Sequence, residues 1–428
     1  MRTPTRDLLL DLTPFRHSRA FGRLWFGTAL GSIGQEMTVV TVALQVYALT
    51  SSTFAVSLIA GIALGPIVVM GLYGGALADR FDRRWVAMIA SVVSWVAIIV
   101  LTVHAWVGGE SLWLLYITAT VNAVANTVGG ITRRAIIPRL LPRELLPAAG
   151  ALNGINMGLM ATVGPLLAAT AVSVGGFATA FLVDALLHTA AFVGVWSLPG
   201  LRPVDSAAVN PLRAVRDGLA YLRRAGNIRF ALAVDLVAMA LAQPRVLYPA
   251  LGAVVLGGGV TTVGVLSATF AAGSVLSAVF SGWTGGVRRQ GVAILVASYI
   301  YAGAIVAAGL VLFVPVAWPR EGVHTPAIVA LAVVLAIGGA ADGVSAIFRG
   351  AILQAAVPDQ LRGRVQSIFS IIVGGGPRVG DVVTGAVASL LAIWSPLVAG
   401  GVAMLLVIWL LARRTPTFAH YDRDHPEP

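Results

Sequence analysis

Charged side chains lie inside long apolar stretches of this chain. On insertion scales, an ionisable group at the centre of a bilayer costs at least about 2.5–3.5 kcal/mol, so each needs a partner, a wet cavity or a function. Such residues can bind polar groups or carry protons. The candidates inside apolar runs are Glu36, Asp184, Asp235, Arg245, Asp342, Arg378 and Asp381.

Composition indicates which class of protein must position these groups. Apolar residues make up 58% of the 428 residues and charged residues 11%, and mean hydropathy is +0.88. Soluble domains are about 45–50% apolar and about 25% charged, so the chain is predicted to lie in a bilayer. The absence of cysteine excludes disulfides and thiolate metal sites, and the 6 histidines show no metal-site or catalytic-triad spacing. We therefore expect no metal, no cofactor and no enzyme activity.

Runs of apolar residues are long enough to cross a hydrocarbon core, which takes roughly 20 residues of helix. They predict an all-α polytopic membrane protein with twelve transmembrane helices. The predicted spans are residues 21–48, 54–78, 85–107, 112–133, 146–171, 175–197, 229–252, 261–284, 290–314, 325–348, 362–386 and 391–412.

Arginines mark one side of the predicted bundle. They cluster in alternate connections and in the last residues, whereas the opposite connections carry only Arg320. By the positive-inside rule, both termini are expected in the cytoplasm and the protein in the cytoplasmic (inner) membrane. The net charge of +11 is spread over these separate loops, which does not indicate a nucleic-acid partner.

The chain divides into two halves that repeat. Arg133 lies nine residues before Pro142, and Arg349 lies nine residues before Pro358. The fifth and eleventh spans each contain a Gly-Pro pair. Parallel six-helix halves around a central site are expected from such a repeat. The predicted segments are an N-terminal tail 1–20, a half 21–197, a cytoplasmic loop 198–228, a half 229–412 and a tail 413–428.

A compact charged turn separates the second and third spans. The segment reads Gly75-Ala-Leu-Ala-Asp79-Arg80-Phe-Asp82-Arg83-Arg84. In its simplest interpretation, it fixes topology and a tight cytoplasmic turn. A second copy at residues 282–289 keeps the two arginines but lacks both aspartates.

Twelve spans, repeated halves and the Gly75–Arg84 segment together resemble the major facilitator superfamily of secondary transporters. Segments 133–142 and 358–366 are similar to the branch of enterobactin exporters and macrolide efflux permeases. The resemblance implies that spans one, four, seven and ten line a cavity. It also implies that Asp79 and Arg83 hold the halves together on the cytoplasmic side when the cavity opens outward.

Two superfamily motifs are incomplete here. In span five, Met160, Ala168 and Ala169 stand where glycines are expected, and Asn126 stands where span four would carry a buried arginine. The standard proton-coupled mechanism therefore does not follow from the resemblance.

Equal counts into spans one and seven bring two charged groups to the same depth. Glu36, beside Gln35, is about fifteen residues into span one, and Arg245, beside Gln243, is as far into span seven with Tyr248 one turn on. We expect Glu36 and Arg245 on facing walls of the cavity. They could form a substrate-binding pair, an outer-gate ion pair or a purely structural bridge.

Other polar pairs are spaced to share a helix face. Asn122 and Asn126 could line the cavity or bond between helices, and Asp342 could contact a substrate or a proton. Asp184 and His188 have the spacing of a proton relay, although a structural pair is the preferred interpretation.

Arg378 and Asp381 lie three residues apart in span eleven and are predicted to pair with each other.

The function predicted from these observations is secondary transport. The leading hypothesis is a proton-coupled exporter, acting as a monomer, that moves a small amphipathic molecule such as a siderophore, macrolide or other natural product by alternating access. Import or lipid flipping on the same fold, and a non-transporting membrane sensor or scaffold, are the alternatives.

Overall fold

The structure is a computed structural model that describes residues 11–200, 211–318 and 322–424. Within these ranges the regular secondary structure is helical, apart from one isolated bridge between Arg289 and Asp422. Nine described helices are long and apolar enough to cross a membrane. One of them contains two crossings, and two further helices are long but more polar. Together they give the twelve predicted transmembrane helices.

The first half contains six crossings, which we name α1–α6. Helices α1–α4 are Arg19–Thr50, Thr53–Arg80, Arg83–Trp106 and Leu112–Leu140, and one continuous helix, Leu146–Trp196, supplies both α5 (146–174) and α6 (177–196). Gly175 and Gly176 leave helical geometry between them, and Gly176 has a φ of 73°, which a residue with a side chain rarely adopts. The chain reverses there without a loop.

The second half repeats the first. Helix α7 runs from Gly226 to Val255 but is irregular after Leu241. The remaining helices, α8–α12, are Gly259–Val279, Gln290–Ala317, Thr325–Ala356, Asp359–Leu390 and Ser395–Arg414. A short connecting helix, Pro211–Leu222, joins the halves, and a short 3-10 turn, Pro416–His420, follows α12.

Short polar residues start the helices of the first half. Ser18, Ser52, Asp82 and Ser111 each accept a hydrogen bond from a backbone N–H in the first turn of α1, α2, α3 and α4. Such caps satisfy donors that a helix leaves unpaired. The sequence therefore ends and restarts these helices within two to six residues.

Several helices extend past the spans predicted from hydropathy. Helix α4 continues to Leu140 and α10 to Ala356, whereas the predicted spans ended at residues 133 and 348. At 1.5 Å per residue, a helix of 29 residues is about 43 Å long, beyond the roughly 30 Å hydrocarbon core. Arginines near span ends thus lie on helices and not in loops.

The apolar cores differ between the two ends of the bundle. We call the end with the Arg80–Arg84 turn the arginine-rich face and the end where α1 meets α2 the arginine-poor face. Towards the arginine-poor face, one cluster joins both halves and includes Met37, Val46, Val263 and Leu335. Towards the arginine-rich face, the described clusters each belong to one half. The halves are sealed together at the arginine-poor face.

Candidate functional site

A break in α7 turns Arg245 into the middle of the bundle. Regular helix stops at Leu241, and Pro244 cannot donate a backbone hydrogen bond. The carbonyl of Ala242 instead accepts a 2.6 Å hydrogen bond from the Tyr301 hydroxyl of α9. Irregular backbone at this depth is tolerated where protein or a cavity satisfies it.

Arg245 forms an ion pair with Glu36 of α1, and this pair joins the two halves. The guanidinium Nη2 donates to Glu36 Oε1. The Arg245 side chain is 45% exposed and that of Glu36 is 14% exposed. The partly exposed guanidinium leaves the pair accessible from the cavities beside it, so a charged ligand could contact either partner.

The ion pair lies between two cavities. One, of about 250 Å³, is lined by Gln35, Asn122 and Asp381 as well as by the pair. The other, of about 380 Å³, adds Gln243 and Met160. Both are bordered by the ring of Tyr248. Most of the remaining wall is Val, Ala, Ile and Met, so a few charged groups face an apolar space.

The ion pair predicted between Arg378 and Asp381 is not formed. Arg378 donates to the carbonyl of Gly374 on its own helix, and the salt bridges of the described chain do not join it to Asp381. Both residues instead line the 250 Å³ cavity with Arg245. Asp381 Oδ1 is buried without a hydrogen-bond partner. Both side chains face the cavity, where Arg245 supplies a charge opposite to that of Asp381.

Asn122 and Asn126 join a buried polar chain inside the first half. His188 Nδ1 lies 2.6 Å from Asp184 Oδ1, and His188 Nε2 lies 3.2 Å from Ser94 Oγ on α3. Both asparagines of α4 donate to Ser94 Oγ, at 3.0 and 3.2 Å. Asn122 also lines the 250 Å³ cavity. Both asparagines therefore hydrogen-bond between helices, and Asn122 also lines the cavity.

Asp342 belongs to a charge cluster in the second half. Arg349 of α10 lies 2.7 Å from Asp235 of α7 and 3.6 Å from Asp342, and it donates to Ser345 at 2.7 Å. Arg349 is buried. The hydropathy pattern had placed it among the loop arginines. Its spacing from Asp342 and Ser345, seven and four residues, was the available signal of one shared helix face.

The charged turn between α2 and α3 binds neighbouring helix ends. Arg80 ends α2, and Asp82 caps α3 by accepting from the Arg84 N–H at 2.9 Å. Arg83 donates to the carbonyl of Ala135 in α4 at 2.9 Å, and Arg84 to the carbonyl of Trp196 at the end of α6 at 2.7 Å. These contacts brace the first half. Gly75 lies on α2, and the side chain of Asp79 is outside the described part of the structure.

The second copy of this turn receives carboxylates from the C-terminal tail. Arg288 lies 3.0 Å from Asp422 and 3.1 Å from Asp424. Phe418 stacks on Phe230 of α7 with ring centroids 4.0 Å apart. The aspartates missing from residues 282–289 are thus replaced by residues more than a hundred positions later.

No group of three or more His, Asp or Glu side chains that could hold a metal ion occurs in the part of the chain that the structure describes.

Two six-helix halves around a central charged cavity define a polytopic transporter of the major facilitator type. The chain belongs to the transmembrane secretion effector family of that superfamily, which it matches over residues 10–425.

Named relatives point to the same class. The chain is 27% identical over 384 residues to the enterobactin exporter EntS of Salmonella typhimurium, covering 90% of this chain and 89% of the relative. It is 26% identical to EntS of Escherichia coli O6:K15:H31, covering 90% and 88%. The predicted resemblance to enterobactin exporters is confirmed.

Solved structures share the fold at low sequence identity. The nucleoside transporter NupG superposes with a TM-score of 0.71 at 13% identity, covering 92% of this chain and 99% of that chain. A POT family transporter in complex with 5-aminolevulinic acid gives 0.76 at 11% identity, covering 94% and 97%. The major facilitator fold predicted from the sequence is confirmed.

Proposed function

We propose that this protein is a proton-coupled secondary exporter of a small amphipathic molecule, working by alternating access. The Glu36–Arg245 pair carries the proposal, because it joins the halves while facing cavities on both sides. A cargo with one or two charged or hydrogen-bonding groups and an apolar body suits these walls. The relatives named as enterobactin exporters support export and a siderophore-like cargo.

The unequal sealing of the two faces supports alternating access. The shared core closes the arginine-poor face, and the separate cores leave the halves free to part at the other face. By the positive-inside rule the arginine-rich face is cytoplasmic, as are both termini. In this state cargo would reach the Glu36–Arg245 pair from the cytoplasm of a cell bounded by this inner membrane. A monomer suffices, since the cavity is complete within one chain, and the segment boundaries at 21–197 and 229–412 follow the two halves.

Buried carboxylates offer the means of coupling to protons. Asp184 is buried against His188 in the first half, and Asp381 Oδ1 has no hydrogen-bond partner beside Arg245 and Arg378, so it can accept a hydrogen bond from a cargo donor. One proton moved through 100 mV supplies about 2.3 kcal/mol. That is enough to drive a cargo outward against a substantial gradient.

Uptake into inside-out vesicles tests the proposed function. Membranes of cells expressing the chain would be supplied with labelled enterobactin, and in parallel with a macrolide, under an acid-inside gradient. We expect accumulation of one of these probes that a protonophore abolishes and that vesicles lacking the chain do not show.

Three results would contradict parts of this proposal. Accumulation that persists with protonophore would exclude proton coupling. Accumulation in right-side-out vesicles in its place would indicate import. No movement of either probe in any orientation would favour the sensor interpretation over transport.

A further inference from the structure

A continuous hydrogen-bonded chain crosses the interior of the first half. It runs from Thr38 on α1, through Asp184 and His188 on α6, to Ser94 on α3, and from there to the two asparagines of α4. Thr38, Asp184, His188 and Ser94 are all buried. A titratable pair so far from solvent is costly unless it is fully bonded or has a function.

Counting donors and acceptors assigns the protons in this chain. Asp184 accepts from the Thr38 hydroxyl and from His188 Nδ1–H, which suits an ionised carboxylate beside a neutral imidazole. The free His188 Nε2 then accepts from Ser94 O–H. A serine hydroxyl has one donor and two acceptor sites. In Ser94 all three are filled, the acceptor sites by Asn122 and Asn126.

We propose that the Asp184–His188 pair is the proton-binding site of the transporter and that Ser94 transmits its protonation state to the cavity. When His188 gains a proton, its Nε2–H becomes a donor and needs an acceptor on Ser94. Both acceptor sites are occupied, so one asparagine of α4 must be released. The Ser94 O–H, which has lost Nε2 as its acceptor, can then donate to the amide oxygen of that asparagine. This inference rests on the proposed function, since it names where the coupled proton binds.

Release of either asparagine reaches the cargo cavity, because Asn126 Nδ2 also donates to Asn122 Oδ1 at 2.9 Å. Asn122 lines the 250 Å³ cavity, as do Thr38 and Gln35. Gln35 also lines a small polar pocket on the other side of the chain, together with His188 and Asn126. Protons can therefore reach the pair from the cavity, and a change at Ser94 moves a cavity-lining side chain.

Two charged groups face His188. Asp184 on the same helix is in direct contact with it. Arg133 of α4 lines the same small pocket. Helices α1 and α3 contribute uncharged side chains, namely Gln35, Thr38, Ser91 and Ser94.

Asp184→Asn and His188→Gln test the site with near-isosteric changes. Close packing requires this choice, since a Cβ at Gly34 would lie 2.1 Å from Asp184 Oδ1. In inside-out vesicles with a proton gradient equivalent to 100 mV, one proton per cargo supports an accumulation ratio of about fifty. We expect each variant to lower this ratio to about one. Counterflow, the exchange of labelled for unlabelled cargo without a gradient, should continue.

A matched control and a second variant complete the test. His104→Gln changes another buried histidine of the same half, outside the chain of bonds, and should keep gradient-driven accumulation. Ser94→Ala leaves the pair intact but removes the transmitting hydroxyl, so it should uncouple transport even if the first two variants fold poorly.

The outcomes separate this inference from the proposed function. Gradient-driven accumulation that survives in the Asp184, His188 and Ser94 variants would overturn the proton site while leaving transport established. Loss of counterflow together with accumulation in well-folded variants would assign the pair a role in cargo binding or structure. If the wild-type protein moves none of the probes, the proposed function itself is contradicted.

Discussion

At the scale of single residues, the Glu36–Arg245 pair makes a sharp prediction because each partner comes from a different half. Glu36→Arg or Arg245→Glu places like charges together, whereas the double exchange restores an opposite pair. Contacting charges couple by about 0.5–3 kcal/mol, so each single change should lower transport by about twofold to a hundredfold, and the double variant should recover part of it. Initial rates of probe uptake in vesicles measure this.

The outcome also distinguishes the two functions left open for the pair. Recovery in the double variant indicates a gate or structural bridge, since only the attraction matters. If the double variant is as inactive as the single variants, the cargo itself must bind to each of the two charged groups. Equal activity of all four proteins would remove the pair from the mechanism.

The same residues show how much of the site can be predicted from one sequence. Glu36 and Arg245 were placed at one depth by counting along parallel spans, and the structure brings them into contact. Counting gives depth but not rotation about the helix axis, so it could not show that Arg378 and Asp381 line one cavity without forming a salt bridge. Arg349 was taken for a loop residue because hydropathy ends span ten at residue 348, while the helix continues to Ala356.

At the scale of elements, two of the contacts that hold the C-terminal tail differ in strength. Phe418 is fully buried against Phe230, and truncating a buried phenylalanine costs about 3–5 kcal/mol. The ion pairs of Arg288 with Asp422 and Asp424 are largely exposed and should contribute about 1 kcal/mol or less. Phe418→Ala should therefore lower the melting temperature clearly, and Asp422→Asn with Asp424→Asn should barely change it.

Thermal unfolding of the detergent-solubilised variants decides this ranking. Trp409→Ala, which removes an exposed ring next to Arg413, serves as a control for losing an aromatic group without burial. A larger loss from the two aspartates than from Phe418 would show that charge, and not packing, anchors the tail. The pairing of Arg288 with Asp422 could not be predicted from the sequence, because no spacing or motif connects two positions so far apart in the chain.

At the scale of the whole molecule, the repeat explains both what matches and what differs between the halves. Arg133 and Arg349 occupy equivalent positions before their prolines. Arg349 has Asp235 and Asp342 as partners, whereas the position equivalent to Asp342 in the first half is Asn126. In the first half, a buried acidic residue is Asp184, which contacts His188. One half thus carries a compensated arginine and the other a titratable pair, so the two halves need not share one task.

The state of the whole molecule can be tested by crosslinking, because the chain contains no native cysteine. A Cβ built on Gly61 of α2 would lie 3.1 Å from a methyl group of Val382 on α11. Cysteines introduced by Gly61→Cys and Val382→Cys should therefore form a disulfide across the sealed arginine-poor face, where Cβ atoms about 3.5–4.5 Å apart are needed. Oxidation should stop probe uptake in vesicles and a reductant should restore it, since alternating access requires these helices to separate.

Each single-cysteine protein, oxidised in the same way, should keep its activity. A crosslinked protein that still transports would show that α2 and α11 do not part during the cycle, and a pair that resists oxidation would show that the face is open in the membrane.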